Sequence, residues 1–202
     1  MQKTLPLLAA LTAACLMTPA QAQTPGSYAG IGVMSVATDN ASDFASAIYG
    51  ASGSGDDSTN GLKIYGGYVF PNRFGIEAGY YDLGSYDVRG FGILQDEFKV
   101  SAFAVSGTYT LPMGASFDAI FKLGLAFTSA DYTCVTGCGG AFVNTSESGA
   151  AGLLGAGVGW RVAPNFTLRA DFEVFSGVPH AAGGQDVDYD YTAFSVSGQF
   201  NF

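Results

Sequence analysis

Charge is scarce in this 202-residue sequence, and positive charge is scarcest. Asp, Glu, Lys and Arg make up 12% of it, with 8 Lys and Arg against 17 Asp and Glu. A soluble domain usually devotes about 25% of its residues to charge. The acidic excess argues against a nucleic-acid partner. After Gln23 no continuous apolar run reaches about 18 residues, so no transmembrane helix is expected. Histidine is represented by His180 alone, and cysteine by Cys15, Cys134 and Cys138. No His or further Cys lies near Cys134 and Cys138 to complete a zinc site, and no metal or cofactor is expected.

Against these shortages, hydrophobic residues make up 48% of the chain. Some of them form a leader. Lys3 supplies a positive start, Leu5 to Met17 an apolar stretch too short to span a membrane, and Ala20-Gln21-Ala22 a cleavage site. Residues 1–22 are therefore expected to be removed, leaving one domain over 23–202. Reading Cys15 as a lipid-modified cysteine fails, because Leu11-Thr12-Ala13-Ala14 stands one residue out of register for it. Loss of Lys3 leaves seven basic residues against 17 acidic ones, a mature net charge of about −10. Cys134 and Cys138 remain as an even pair in an oxidising compartment, around Gly137, and predict a disulfide. So small a loop contributes at most about 2 kcal/mol.

The other apolar residues alternate with polar ones. Strands are expected near 28–36, 61–70, 74–83, 97–111, 117–129, 149–162, 166–175 and 190–202. Short turns at 71–73, 112–115 and 163–165 alternate with long connections at 37–60, 84–96, 130–148 and 176–189. Short turns at one end and long loops at the other suit a barrel in lipid, with apolar residues outward and polar residues inward. Most acids outside the strands fall in the long connections: Asp39, Asp43, Asp56, Asp57, Asp87, Asp131, Glu147 and Asp186. They are expected to be solvated; the sharper alternative is that they bind divalent cations bridging lipopolysaccharide.

A faint repeat sharpens the reading. Gly67-Tyr68-Val69-Phe70 and Gly159-Trp160-Arg161-Val162 each lead into a three-residue turn and a return strand with a charge in its middle. Pairing Phe70 with Phe74 sets Gly67 opposite Glu77 and Tyr65 opposite Gly79. Pairing Val162 with Phe166 sets Gly159, Gly157 and Gly155 opposite Arg169, Asp171 and Glu173. Directly opposed side chains are close neighbours, so glycine beside each charge makes room in a narrow interior. The other face, Leu154, Ala156, Val158 and Trp160 with Leu168, Ala170, Phe172 and Val174, is wholly apolar. Lys63 with Glu77, and Lys122 between Phe121 and Leu123, repeat the pattern.

The stretch Gly66-Gly67-Tyr68-Val69-Phe70-Pro71-Asn72 with Gly75-Ile76-Glu77-Ala78-Gly79-Tyr80-Tyr81-Asp82-Leu83-Gly84 resembles a hairpin of the small outer-membrane barrels related to the OmpA transmembrane domain. Pro164 to Phe172 resembles their penultimate strand. The closing run, with Phe200 and Phe202 on one face, resembles the terminal assembly signal of such barrels. The resemblance covers 28–202. It implies residence in the outer membrane of a Gram-negative bacterium, insertion by the barrel assembly machinery, and contact with outer-membrane lipid and lipopolysaccharide. No peptidoglycan-binding domain is expected after the barrel, so anchorage to the cell wall is not implied.

The expected fold is all-β: an eight-stranded antiparallel transmembrane β-barrel with short periplasmic turns and long extracellular loops. Eight strands leave an interior that side chains just fill. The lumen is expected to hold Lys63, Tyr65, Glu77, Tyr81, Lys122, Arg161, Arg169, Asp171 and Glu173, paired into a salt-bridged ladder because a lone buried charge is costly. Function then rests with the loops: envelope integrity, or surface interaction such as adhesion to a host or surface ligand. Other motifs carry less. Gly155-x-Gly157-x-Gly159 lacks the spacing of a dinucleotide fingerprint. Asp186-x-Asp188-x-Asp190 supplies too few directions for calcium and reads as a charged rim. His180 lacks the serine two residues away that lipid A deacylases show. The rivals are an enzyme acting on outer-leaflet lipid through His180 and a narrow pore past Arg169 and Glu77.

Overall fold

A computed structural model describes residues 25–38, 54–55, 58–90, 93–134, 145–182 and 185–202, with backbone alone at 54–55, 87–98, 132–145 and 179–188 where these fall within them. No helix occurs among the described residues. The strands are β1 (Gly26–Thr38), the two-residue β2 (Ser54–Gly55), β3 (Ser58–Val69), β4 (Phe74–Gly90), β5 (Ile93–Pro112), β6 (Phe117–Cys134), β7 (Thr145–Ala163), β8 (Phe166–Ala182) and β9 (Gln185–Asn201). All pairings are antiparallel. β1 pairs with both β3 and β9, and β4 with β5, so eight strands close into a barrel; β2 only flanks β4. Closure leaves no sheet edge facing lipid.

The expected register holds. Gly155, Gly157 and Gly159 face Glu173, Asp171 and Arg169, and Gly67 and Tyr65 face Glu77 and Gly79. One anchor differs: a bulge at Arg161/Ala163 sets Ala163, not Val162, opposite Phe166. Strand ends differ more. Residues 84–90 with 93–96, and 176–182 with 185–189, expected in loops, belong to strands. Bulges at Asp82/Gly84 and Phe175/Val178 shift the alternation there, and a period-two reading stops at such a shift. Gly84 takes φ +90, a conformation open to glycine.

The outward faces mark the membrane. On β6, Phe117, Phe121, Leu123, Leu125 and Phe127 point out, Leu123 being 70% exposed. From Phe117 to Phe127, at about 3.3 Å per residue and a tilt of about 40°, the band is about 25 Å tall. Two residues further along each strand the outward face turns polar: Phe127 gives way to Ser129, Tyr80 to Asp82, Phe103 to Ser101, Val174 to Ser176, Phe194 to Thr192 and Leu62 to Asn60. The wall continues beyond this rim into water.

The interior changes in the opposite sense. Inward from the C-terminus, β9 reads Gln199, Ser197, Ser195, then Ala193, Tyr191, Tyr189. Within the apolar band the lumen is polar and charged. At the rim and above it, Leu83, Tyr86, Val100, Leu153, Phe175, Val178 and Tyr191 form a buried apolar core. Where water replaces lipid outside, the inside follows the soluble-protein rule.

Candidate functional site

The charged part of the lumen grows from β8. Arg169, Asp171 and Glu173 share its inward face, with glycines opposite on β7 and Ser197, Ser195 and Ala193 opposite on β9. Small neighbours on both sides leave the long side chains free to reach across. Gly157 is required here, since a Cβ at that position would run into the Asp171 carboxylate. The far wall supplies Lys63 from β3, Glu77 from β4 and Lys122 from β6, where inward strand parity places each of them.

These six groups form a closed ring of alternating charge. Lys63 Nζ lies 2.8 Å from both Asp171 Oδ2 and Glu173 Oε2. Lys122 Nζ lies 2.6 Å from both Glu173 Oε1 and Glu77 Oε1. Arg169 completes the circuit, with Nη1 2.8 Å from Glu77 Oε2 and Nε 2.8 Å from Asp171 Oδ1. Every cation touches two acids and every acid two cations. The Lys122–Glu77 contact is an ion pair without hydrogen-bond alignment. All six side chains are buried. Three charges of each sign cancel, which is how ionised groups persist without water.

Three tyrosines hold the ring in place. Tyr28 donates to Glu77 Oε2 at 2.9 Å and Tyr81 to Glu173 Oε1 at 3.0 Å. The Tyr65 ring lies against all three cations, with its centroid 5.1 Å from Lys63 Nζ, 5.8 Å from Lys122 Nζ and 5.0 Å from Arg169 Cζ. Its hydroxyl is tied to Ser197 Oγ at 2.9 Å. An aromatic face among desolvated cations adds attraction beyond the ion pairs.

Arg161 stays outside the ring. It lies near the short-turn end, 3.0 Å from Asp118 Oδ2, and donates to the Ala115 carbonyl at 3.0 Å. Its side chain is 18% exposed, so it lines the mouth rather than the core. The expected ladder is thus a ring of six plus a separate pair at the mouth. Sequence reasoning missed Asp118, whose inward parity on β6 was readable, and Tyr28, masked by the uncertain register of β1. It also missed the apolar core above, because alternation looks the same whichever face is apolar.

Phe200 and Phe202 point outward in edge-to-face contact, 5.2 Å between centroids, and the Phe202 amide donates to the Ser27 carbonyl, tying the end of β9 to the start of β1. Cys134 ends β6, while Cys138 lies outside the described residues, and the expected disulfide with it. His180 pairs with Val187 through the backbone, its side chain lying outside the described set. Ser176 donates to Asp190 Oδ1 at 2.9 Å, beside the β8 bulge. Asp186 and Asp188 are described by backbone alone.

The sequence signature of the OmpA-like transmembrane domain matches residues 22–200. The chain belongs to this family. It is accordingly an outer-membrane β-barrel of the kind found in Gram-negative bacteria. No curated protein sequence matches this OmpA-like chain. Among solved structures, OprG from Pseudomonas aeruginosa aligns at a TM-score of 0.65 and 14% identity, over 91% of this chain and 99% of that one. Neisserial surface protein A aligns at 0.60 and 14%, over 88% and 97%. Ail, the attachment invasion locus protein of Yersinia pestis, aligns at 0.54 and 16%, over 89% and 100%. At these identities the alignments speak for the fold.

Proposed function

We propose that this OmpA-like barrel is a sealed, non-enzymatic scaffold that presents an acidic exterior at the cell surface, for envelope integrity or for surface interaction. The closed charge ring carries the reading. It neutralises every ionised group in the middle of the lumen, and the apolar core above it is a second obstruction to water. A catalytic acid or base must lie within hydrogen-bond reach of a bound substrate, and the six ring groups are buried in the lumen.

With the ring neutral, the net charge of about −10 belongs wholly to the rest of the mature chain. The connections between β1 and β3 and around Asp186 are acid-rich in sequence. Ail is known in complex with the heparin analogue sucrose octasulfate, a polyanion. This exterior suits a neutral or cationic partner instead, by charge alone. Divalent cations bridging the acids to lipopolysaccharide remain part of the same proposal. So do removal of residues 1–22 before insertion, recognition of Phe202 by the barrel assembly machinery, and a Cys134–Cys138 disulfide.

A deletion strain complemented two ways tests the reading. One copy is intact; the other has residues 39–53 and 135–144 replaced by glycine-serine linkers. Both copies restoring detergent resistance supports a scaffold, and surface binding restored by the intact copy alone supports a role for the connections. Loss of small-solute uptake as the main defect of the deletion contradicts the proposal.

A further inference from the structure

The barrel closes where β9 meets β1, over rungs running from Tyr28 opposite Asn201 to Thr38 opposite Tyr191. The seam's own side chains say little about which rung is right. Inward, Gly30 stands against Gln199 and Gly32 against Ser197; outward, Ile31 stands against Gly198 and Val33 against Val196. A slip of two residues keeps the parity. It would again turn apolar residues to lipid and small or polar ones to the lumen. Glycine-rich pairings of this kind specify register weakly.

Contacts that skip a strand supply what the seam lacks. Tyr65 on β3 stands opposite Gly30, where a Cβ would run into its ring. It passes over β1 and meets Ser197 Oγ on β9 at 2.9 Å. Tyr28 on β1 does the same over Gly67 on β3, and reaches Glu77 on β4. Two straps thus tie β9 to β3 and β1 to β4. Lys63 reaches further, from β3 across β1 and β9 to Asp171 and Glu173 on β8. A two-residue slip at the seam would carry β8 and β9 about 7 Å past β1 and β3. Lys63 would then sit between Arg169 and Asp171, or between Glu173 and Phe175 of the apolar core. Either way it loses one of its two acids. We propose that the charge ring and its tyrosine straps fix the register in which the barrel closes, a task the two seam strands leave undone. The inference does not depend on a sealed lumen, since register and ion flow are read separately.

The test is cysteine cross-linking across the seam in the full-length mature protein, refolded in lipid vesicles with Cys134→Ser and Cys138→Ser. A mild oxidant is applied and linked peptides are identified by mass spectrometry. Val33→Cys with Val196→Cys reports the native register. Ile31→Cys with Val196→Cys, and Ile31→Cys with Phe200→Cys, report slips in the two directions; all four side chains point outward, clear of the ring. In the otherwise unmodified protein the native pair is expected to link, with the slipped pairs at the background of diagonal neighbours. Lys63→Met with Asp171→Asn removes the contact across the seam and keeps the ring neutral. It is expected to raise the slipped links about tenfold over that background. Tyr65→Phe is expected to raise them about threefold, as for one modest hydrogen bond. Asp118→Asn with Arg161→Gln, a neutral change at the mouth away from the seam, is expected to leave them at background. Native links alone in Tyr65→Phe overturn the proposal, whether or not the double variant folds. So does a mouth variant that slips as much as the ring variant.

Discussion

Glu173 holds Lys63 through one carboxylate oxygen and Lys122 and Tyr81 through the other. Glu173→Gln leaves two buried lysines short of a counter-charge. It is expected to destabilise the barrel by about 3–5 kcal/mol, the cost typical of breaking a buried pair. Urea unfolding in lipid vesicles, followed by Trp160 fluorescence, measures it. Arg161→Gln removes one partly exposed cation at the mouth and keeps a side-chain amide that can still donate to the buried Asp118, so it is expected to cost less than Glu173→Gln in the same assay. Equal costs at the two positions would contradict the separation of ring from mouth. Glycine gives a second contrast. Gly157→Ala drives a methyl into the Asp171 carboxylate, whereas a Cβ at Gly107 meets only the Leu123 carbonyl oxygen at 3.8 Å. Refolding yield, read from heat-dependent gel mobility, is expected to fall for Gly157→Ala and hold for Gly107→Ala.

Along a single strand the solvent changes. On β8, Phe172 faces lipid, and Ser176 on the same outward side faces water beyond the rim. Phe172→Arg is expected to cost about 2–4 kcal/mol toward the middle of the bilayer. Ser176→Arg should fall within about 0.5 kcal/mol of the parent, as surface changes do. Similar losses at both, in the same unfolding titration, would misplace the rim. Hairpin β7–β8 was legible because glycine stands against charge at three successive inward positions, and β3–β4 because Gly67 stands against Glu77 and Gly79 against Tyr65, pairings with one sensible register. The strand ends were not, because Gly84 and the β8 bulge at Phe175/Val178 break the alternation just where the environment inverts. Of the ring, the members were legible and the closure was not. Lys63, Glu77 and Lys122 showed inward parity, but which cation reaches which acid depends on barrel curvature that no local pattern encodes.

For the molecule as a whole, eight strands give a bore along which the charge ring and the apolar core follow in succession. In the proposed sealed scaffold the ring alone is not the seal. Glu77→Gln with Lys122→Met removes one charge of each sign, keeps the ring neutral, and leaves Leu83, Tyr86, Phe175 and Tyr191 in place above. That variant is expected to stay closed to ions even if it is less stable. The most direct test of a sealed scaffold is the current carried by the unmodified mature protein reconstituted in a planar bilayer bathed in concentrated potassium chloride. A flat baseline, with only brief and irregular events, is the result expected from a lumen closed twice. A steady open level, reproducible from one insertion to the next, would contradict the seal and make the barrel a pore.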